Sequence, residues 1–294
     1  MRHTRVPRPE TIALQVDGKT IAGIRHRIPE AEPQARLLCV HGWLDNANSF
    51  LPLMPLLPEI DLVAIDLPGH GYSDHLDTAY SVPESAYWVA AVIKQLGWEQ
   101  CHLAGHSLGG IIAPLVSVAR PDTISSLILI ESSGALTSEA DEIVQRLRTS
   151  IDERLQDNKY ASRVYKDKDA AIDARLRSAR MKPNSARLII DRQLSESDDG
   201  WRWRFDPKLR VSTAHRLTEA HVQEINAQIE CPVLTVLGKE GFLTSREKTE
   251  ERLALLKNHK SVWLAGHHHL HMDTPEPVAA AINRFLGTTP ALGG

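Results

Sequence analysis

The chain has 294 residues, of which 42% are hydrophobic and 24% charged, and its 34 basic and 37 acidic side chains leave a formal net charge of −3. These values describe a globular chain and exclude a disordered tail, a collagen-like rod or a disulfide miniprotein. The length carries one large domain, or a domain with a sizeable insertion, around a full apolar core. The charge balance excludes the basic surface that nucleic acid requires.

Three cysteines, Cys39, Cys101 and Cys231, each sit beside an apolar run. They read as buried reduced thiols, which predicts a reducing, cytoplasmic setting. Residues 1–10 carry positive charge with no apolar stretch behind them, so they do not read as a signal peptide. No apolar run approaches the roughly 18 residues of a membrane span.

In chain order, residues 12–16 and 20–26 alternate apolar and polar side chains around Asp17-Gly18, which predicts a hairpin. Short apolar runs at 37–40, 62–65, 102–104, 127–130, 233–237 and 262–264 follow, as strands covered on both faces read. Helical patterns at 84–96, 108–119, 246–256 and 278–285 alternate with them. Strand alternating with helix predicts a mostly parallel, doubly wound α/β sheet behind an antiparallel N-terminal hairpin.

The alternation is interrupted once, between about 138 and 230, where no strand is evident. Ile143, Val144, Leu147, Ile151 and Leu155 recur at helical spacing there. Residues 169–181, 185–194 and 218–228 read as further helices, and 195–207, polar and rich in tryptophan, as a loop. The expected division is a core of 1–137 and 231–294 with a helical cap at 138–230.

Gly105-His106-Ser107-Leu108-Gly109-Gly110 directly follows a strand run and precedes a helix run. A Gly-x-Ser-x-Gly in that setting predicts a nucleophile elbow, a turn so tight that small residues must flank the serine. A phosphate loop would want Lys after the second glycine, and none is present. For a base, the segment Gly266-His267-His268-His269-Leu270-His271-Met272-Asp273-Thr274-Pro275 offers four histidines. A metal reading is disfavoured, because adjacent side chains do not converge on one ion and no Cys or acidic partner stands at ligand spacing.

The orienting acid is usually sought in the loop after strand 233–237, but Gly241 stands at the expected position. Glu131, one helix and one strand beyond the serine, would come level with Ser107 at the same sheet edge. Glu131 is therefore favoured, with Glu240 as the alternative. His41-Gly42-Trp43 follows strand 37–40, and the backbone N–H groups of Trp43 and Leu108 are the expected oxyanion donors. His41 reads as a structural hydrogen-bonder, and His41, Gly42 and His106 are expected around the substrate pocket. For Trp201 and Trp203, packing within the insertion is the expected role.

These residues resemble the α/β-hydrolase family over nearly the whole chain. His41-Gly42, then Asp66-Leu67-Pro68-Gly69-His70-Gly71-Tyr72-Ser73, the elbow and the C-terminal Gly-His motif occur in family order. The resemblance places the catalytic histidine on His268, with His271 one turn along and His267 where the family has glycine. The segments 41–50 and 199–207 resemble the serine hydrolase-like proteins within it, which implies a serine nucleophile and a helical cap but no firm substrate. Some haloalkane dehalogenases, with an aspartate nucleophile, also place the acid after the strand where Glu131 sits.

The expected chemistry is acyl transfer to water on a small or medium ester: Ser107 attacks, His268 moves the proton, and Glu131 steadies the imidazolium. No metal or organic cofactor, nucleic acid or membrane is expected, only a small-molecule substrate. Serine at 107 excludes the alkyl-ester chemistry of epoxide hydrolases and dehalogenases. Carboxylesterase, thioesterase, lactonase and carbon–carbon bond hydrolase stay open, as does a non-catalytic ligand-binding protein on the same fold. The sequence carries no signal for oligomeric state.

Overall fold

A computed structural model describes residues 8–27, 32–156, 163–243 and 246–288. Residues 1–7, read above for a leader, lie outside the described residues. The predicted hairpin is β1 (Glu10–Val16) and β2 (Lys19–His26), which pair antiparallel. Its two turn residues, Asp17 and Gly18, have φ of 46° and 72°, as a tight hairpin turn requires. β3 (Ala35–Val40), β4 (Ile60–Ile65), α1 (Val82–Gln95), β5 (Cys101–His106), α2 (Leu108–Ala119) and β6 (Ile124–Ile130) follow. After the insertion come β9 (Val233–Gly238), α7 (Arg246–Ala254), β10 (His259–Leu264), α8 (Leu270–Asp273) and α9 (Pro275–Leu286).

The strands form one eight-stranded sheet in the order β1-β2-β4-β3-β5-β6-β9-β10, with β2 antiparallel to both neighbours and β3 to β10 parallel. Period-two alternation sends successive side chains to opposite faces. Val63 and Ile65 of β4 join a core under α1 and α2, with Val89, Val92, Ile112 and Val116. Leu62 and Ala64 join the opposite core, with Phe50, Leu53, Val278 and Ile282. Each such Val, Leu, Ile or Phe side chain, fully buried, stabilises the fold by about 1.5–3 kcal/mol. Covered faces explain why the central strands read as continuous apolar runs. Among the described residues no helix is long and apolar enough to cross a membrane.

Between β6 and β9 lie α3 (Ile143–Leu155), α4 (Lys168–Ser178), α5 (Pro183–Gln193) and α6 (Glu219–Ala227). The expected loop at 195–207 is corrected: β7 (Leu194–Ser197) and β8 (Gly200–Trp203) form an antiparallel hairpin. Tyr165 extends it by exchanging backbone hydrogen bonds with Trp201 at 2.8 and 2.7 Å. Each strand is only four residues long, and the one period-two signal, Trp201 and Trp203 alternating with Arg202, is not read as a strand in the sequence. Trp201 and Trp203 pack on a small local core of Tyr165, Ala171, Ile172, Ala186, Ile190 and Leu194, in the packing role expected of them.

The helix α3 departs from its pattern. Val144, Leu147, Ile151 and Leu155 are 53%, 42%, 52% and 75% exposed, while Ser150 is buried. On the inward side, Glu153 is half-buried and accepts the N–H of Ser212 at 2.7 Å.

Candidate active site

The sheet brings its chemistry to one edge. His106 of β5 is level with Ile130 of β6, so the next residues, Ser107 and Glu131, leave adjacent strand ends side by side. Ile130 is level with Val236 and Leu264 with Gly238, which brings the loops after β9 and β10 to the same edge.

Ser107 sits between β5 and α2 with φ 50° and ψ −110°. That backbone conformation costs about 1–3 kcal/mol in a non-glycine residue and persists only where the surroundings enforce it. Here they do: Ser107 N–H donates to Ile130 O at 3.0 Å, and Gly109 N–H donates to His41 O at 3.1 Å. A Cβ at position 105 would overlap the backbone of Gly109, and one at 109 would overlap Val40 O. The glycines are therefore required by contact. Leu108 opens α2, where backbone N–H groups point out of the helix toward an anion.

His268 lies in the loop between β10 and α8, its ring about a quarter exposed, with Nδ1 3.2 Å from Glu131 Oε2. A carboxylate only accepts, so Nδ1 carries the hydrogen and Nε2 of a neutral ring keeps its lone pair. Glu131 is buried and also accepts the N–H groups of Gly238 at 2.6 Å and Phe242 at 2.9 Å. Burial works to raise its carboxyl, but the bonds from His268, Gly238 and Phe242 outweigh that and hold it below the usual range. Glu131 has φ 51°, a second enforced left-handed backbone at this edge.

Glu240 does not reach His268. Its carboxylate accepts Gly266 N–H at 2.8 Å, and its backbone oxygen accepts His267 Nδ1–H at 3.2 Å, so it fixes the entry to the histidine loop.

The residues expected around the pocket are placed differently. His41 and His106 are both 0% exposed and Gly42 is buried, so neither ring offers surface to a substrate. His41 Nδ1–H donates to Gly42 O at 2.7 Å and Nε2 accepts Leu67 N–H at 3.0 Å, in the structural role expected of it. Burial lowers His41 to about 4 and, with the nearby His41 adding to it, His70 to about 3. The exposed rings are Trp43, 52% exposed with Nε1–H donating to Leu209 O at 3.1 Å, and Phe242, 63% exposed with its ring 5.4 Å from that of His268.

Asp45, which sequence reasoning missed, is fully buried next to His106 and His269. Its Oδ1 is bonded by Arg175 of α4, and its Oδ2 lies 3.2 Å from His269 Nε2 and 3.6 Å from His106 Nδ1. Burial would raise its carboxyl, but Arg175 and then His269 hold it well below the usual range. The premise that the histidines lack an acidic partner is thereby corrected. That partner is 224 residues away in sequence, which no spacing rule detects. His106 Nε2–H donates to His268 O at 2.8 Å, tying the cluster to the histidine loop. Asp45, His106 and His269 bring three donor atoms within 4.8 Å of one another and are the described residues able to hold a metal ion.

Three kinds of similarity agree with this architecture. Residues 35–204 match the model of the alpha/beta hydrolase fold family. A serine hydrolase-like protein of Danio rerio is 28% identical over 85% of this chain and 81% of its own length. The crystal structure of a hypothetical protein from Pseudomonas aeruginosa PAO1 superposes with a TM-score of 0.86 at 34% identity, over 95% of this chain and 98% of that one. A thioesterase domain from the curacin biosynthetic pathway follows at TM-score 0.81 and 27% identity, over 96% of this chain and all of that one (100%). The chain belongs to the α/β-hydrolase fold family.

Proposed function

We propose that the protein is a cofactor-independent serine hydrolase that cleaves a small or medium ester through an acyl-enzyme on Ser107. His268 Nε2 takes the Ser107 proton as the hydroxyl attacks the carbonyl carbon, and Glu131 stabilises the imidazolium. The N–H groups of Trp43 and Leu108 receive the oxyanion, an interaction whose loss costs about 2.7–4 kcal/mol per donor. The alcohol leaves with the proton from His268. A water, deprotonated by His268, then releases the acid and regenerates Ser107.

The observation that carries this reading is the Glu131–His268 hydrogen bond, held by two backbone N–H groups on the same carboxylate. The segment 138–230 acts as the cap that bounds the substrate pocket. Three cysteines without disulfides, Cys39 and Cys101 buried, suit a cytoplasmic protein.

The deciding experiment is intact mass after exposure to a fluorophosphonate, with Ser107→Ala as control. One adduct on the wild type alone is expected, followed by turnover of short acyl esters. A thioester belongs in the same panel, because a thioesterase domain is among the similar structures. A folded protein that takes no adduct is a ligand-binding member of the fold instead.

A further inference from the structure

We propose that Asp45, His106 and His269 form a binding site for one divalent transition-metal ion of the zinc type. The donor positions fit. His269 Nε2 and His106 Nδ1 stand 3.2 and 3.6 Å from Asp45 Oδ2, and all three atoms lie within 4.8 Å. A tetrahedral ion with bonds of about 2.0–2.1 Å spaces its donors about 3.3 Å apart, so two edges are close to formed and the third closes by a small ring movement.

Hydrogen bookkeeping gives an independent reason. His106 Nε2 faces the carbonyl oxygen of His268 at 2.8 Å, and a carbonyl only accepts, so Nε2 carries the hydrogen. Nδ1 of this fully buried ring is left without a hydrogen-bond partner and points at Asp45 Oδ2 across 3.6 Å, close to the spacing that two donors on one ion take. The Nε2–H to carbonyl bond is also the outer support that metal-ligating histidines ordinarily have.

The remaining groups are compatible. Arg175 holds Asp45 through Oδ1, which orients the carboxylate and leaves Oδ2 to the ion. His269 turns Nε2 to Asp45 Oδ2, so the ring already presents that nitrogen at the position the ion would occupy. Water completes the fourth position. The partly exposed ring of His268, with its centroid 4.8 Å from that of His106 and 5.3 Å from that of His269, borders the way in.

The test uses the full chain, stripped with a chelator and titrated with Co2+ while the visible spectrum is followed. One equivalent bound with four-coordinate absorption is expected. His269→Gln weakens it by at least the roughly 10–100-fold that loss of even an outer partner costs, while His268→Gln and His271→Gln retain it. Binding retained in a folded His269→Gln, or lost in His268→Gln, overturns the site. So does a wild type that binds nothing. Should His269→Gln fail to fold, X-ray absorption on the wild-type Zn2+ adduct decides without a variant. Two imidazole nitrogens with oxygen ligands are expected, and any other imidazole count rejects the assignment. No substrate enters these readouts, so their failure leaves the hydrolase reading standing.

Discussion

Gly241 and Glu131 share one carboxylate-sized space: a Cβ at 241 would overlap both carboxylate oxygens of Glu131. Position 241, in the loop after β9, therefore has room for no side chain, because the Glu131 carboxylate reaching over from the end of β6 fills the space. Glu131→Gln is expected to lower kcat on an activated ester by about 10³–10⁴-fold, since an amide stabilises neither the correct tautomer nor the imidazolium. Glu240→Gln should change it by less than about tenfold, because Glu240 bonds a backbone N–H and not His268. Steady-state kinetics of both variants check this, and the opposite ranking moves the acid to Glu240.

Gly241→Asp tests the same relationship from the other side. Alone it brings a second carboxylate against Glu131, and a buried like-charge pair should cost stability and activity together. Combined with Glu131→Gly, the new aspartate has the vacated space to itself. The double variant is expected to melt above the Gly241→Asp single variant, as thermal denaturation reads directly.

Much of this site is legible in the sequence, since it follows from local rules. The elbow is a contiguous motif, and the place of Glu131 follows from counting one helix and one strand between adjacent parallel strands. Asp45 is not legible, because its partners Arg175 and His269 lie 130 and 224 residues away and no periodicity links them. The burial of His106 is equally hidden: a polar residue beside the nucleophile reads as pocket lining until its two nitrogens are traced to Asp45 and His268 O. In α3 the helical spacing is legible and the direction is not, since periodicity marks a stripe without saying which way it faces.

The orientation of α3 has a direct consequence. Leu147 and Ile151 are 42% and 52% exposed, so replacing either with serine removes little packing. Each change should shift stability by no more than about 0.5 kcal/mol, as surface substitutions do. Urea denaturation checks it; a loss of several kcal/mol would mean that the stripe is packed in solution.

Arg175 contributes a larger effect. Removing it leaves the Asp45 carboxylate buried without its main counter-charge, a situation that typically costs about 3–5 kcal/mol. Arg175→Met should therefore destabilise strongly, and adding Asp45→Asn should recover part of the loss, because the amide carries no charge to strand. Chemical denaturation of the single and double variants measures the difference, and a double variant no better than the single would place the loss in packing.

Acid sensitivity follows from the buried rings. His41 and His106 are lowered to about 4 and His70 to about 3, with burial the leading cause in each. Unfolded, these rings titrate near 6.5. Between that value and the folded one, the unfolded chain binds more protons than the native chain, so stability falls as pH falls. It is complete above about 6.5 and declines toward 4, by up to about 1.4 kcal/mol per pH unit for each ring. The lowered Glu131 carboxyl acts in the same direction, its contribution present above the ordinary carboxylate range and lost as pH falls through the folded value. Melting temperature measured from pH 8 to pH 4.5 should be level at first and then drop below about 6.5. His70→Asn, which keeps a polar group where Leu44 N–H donates to His70 Nε2 at 3.3 Å, should make the drop shallower. An unchanged slope in that variant would remove His70 from the titrating set.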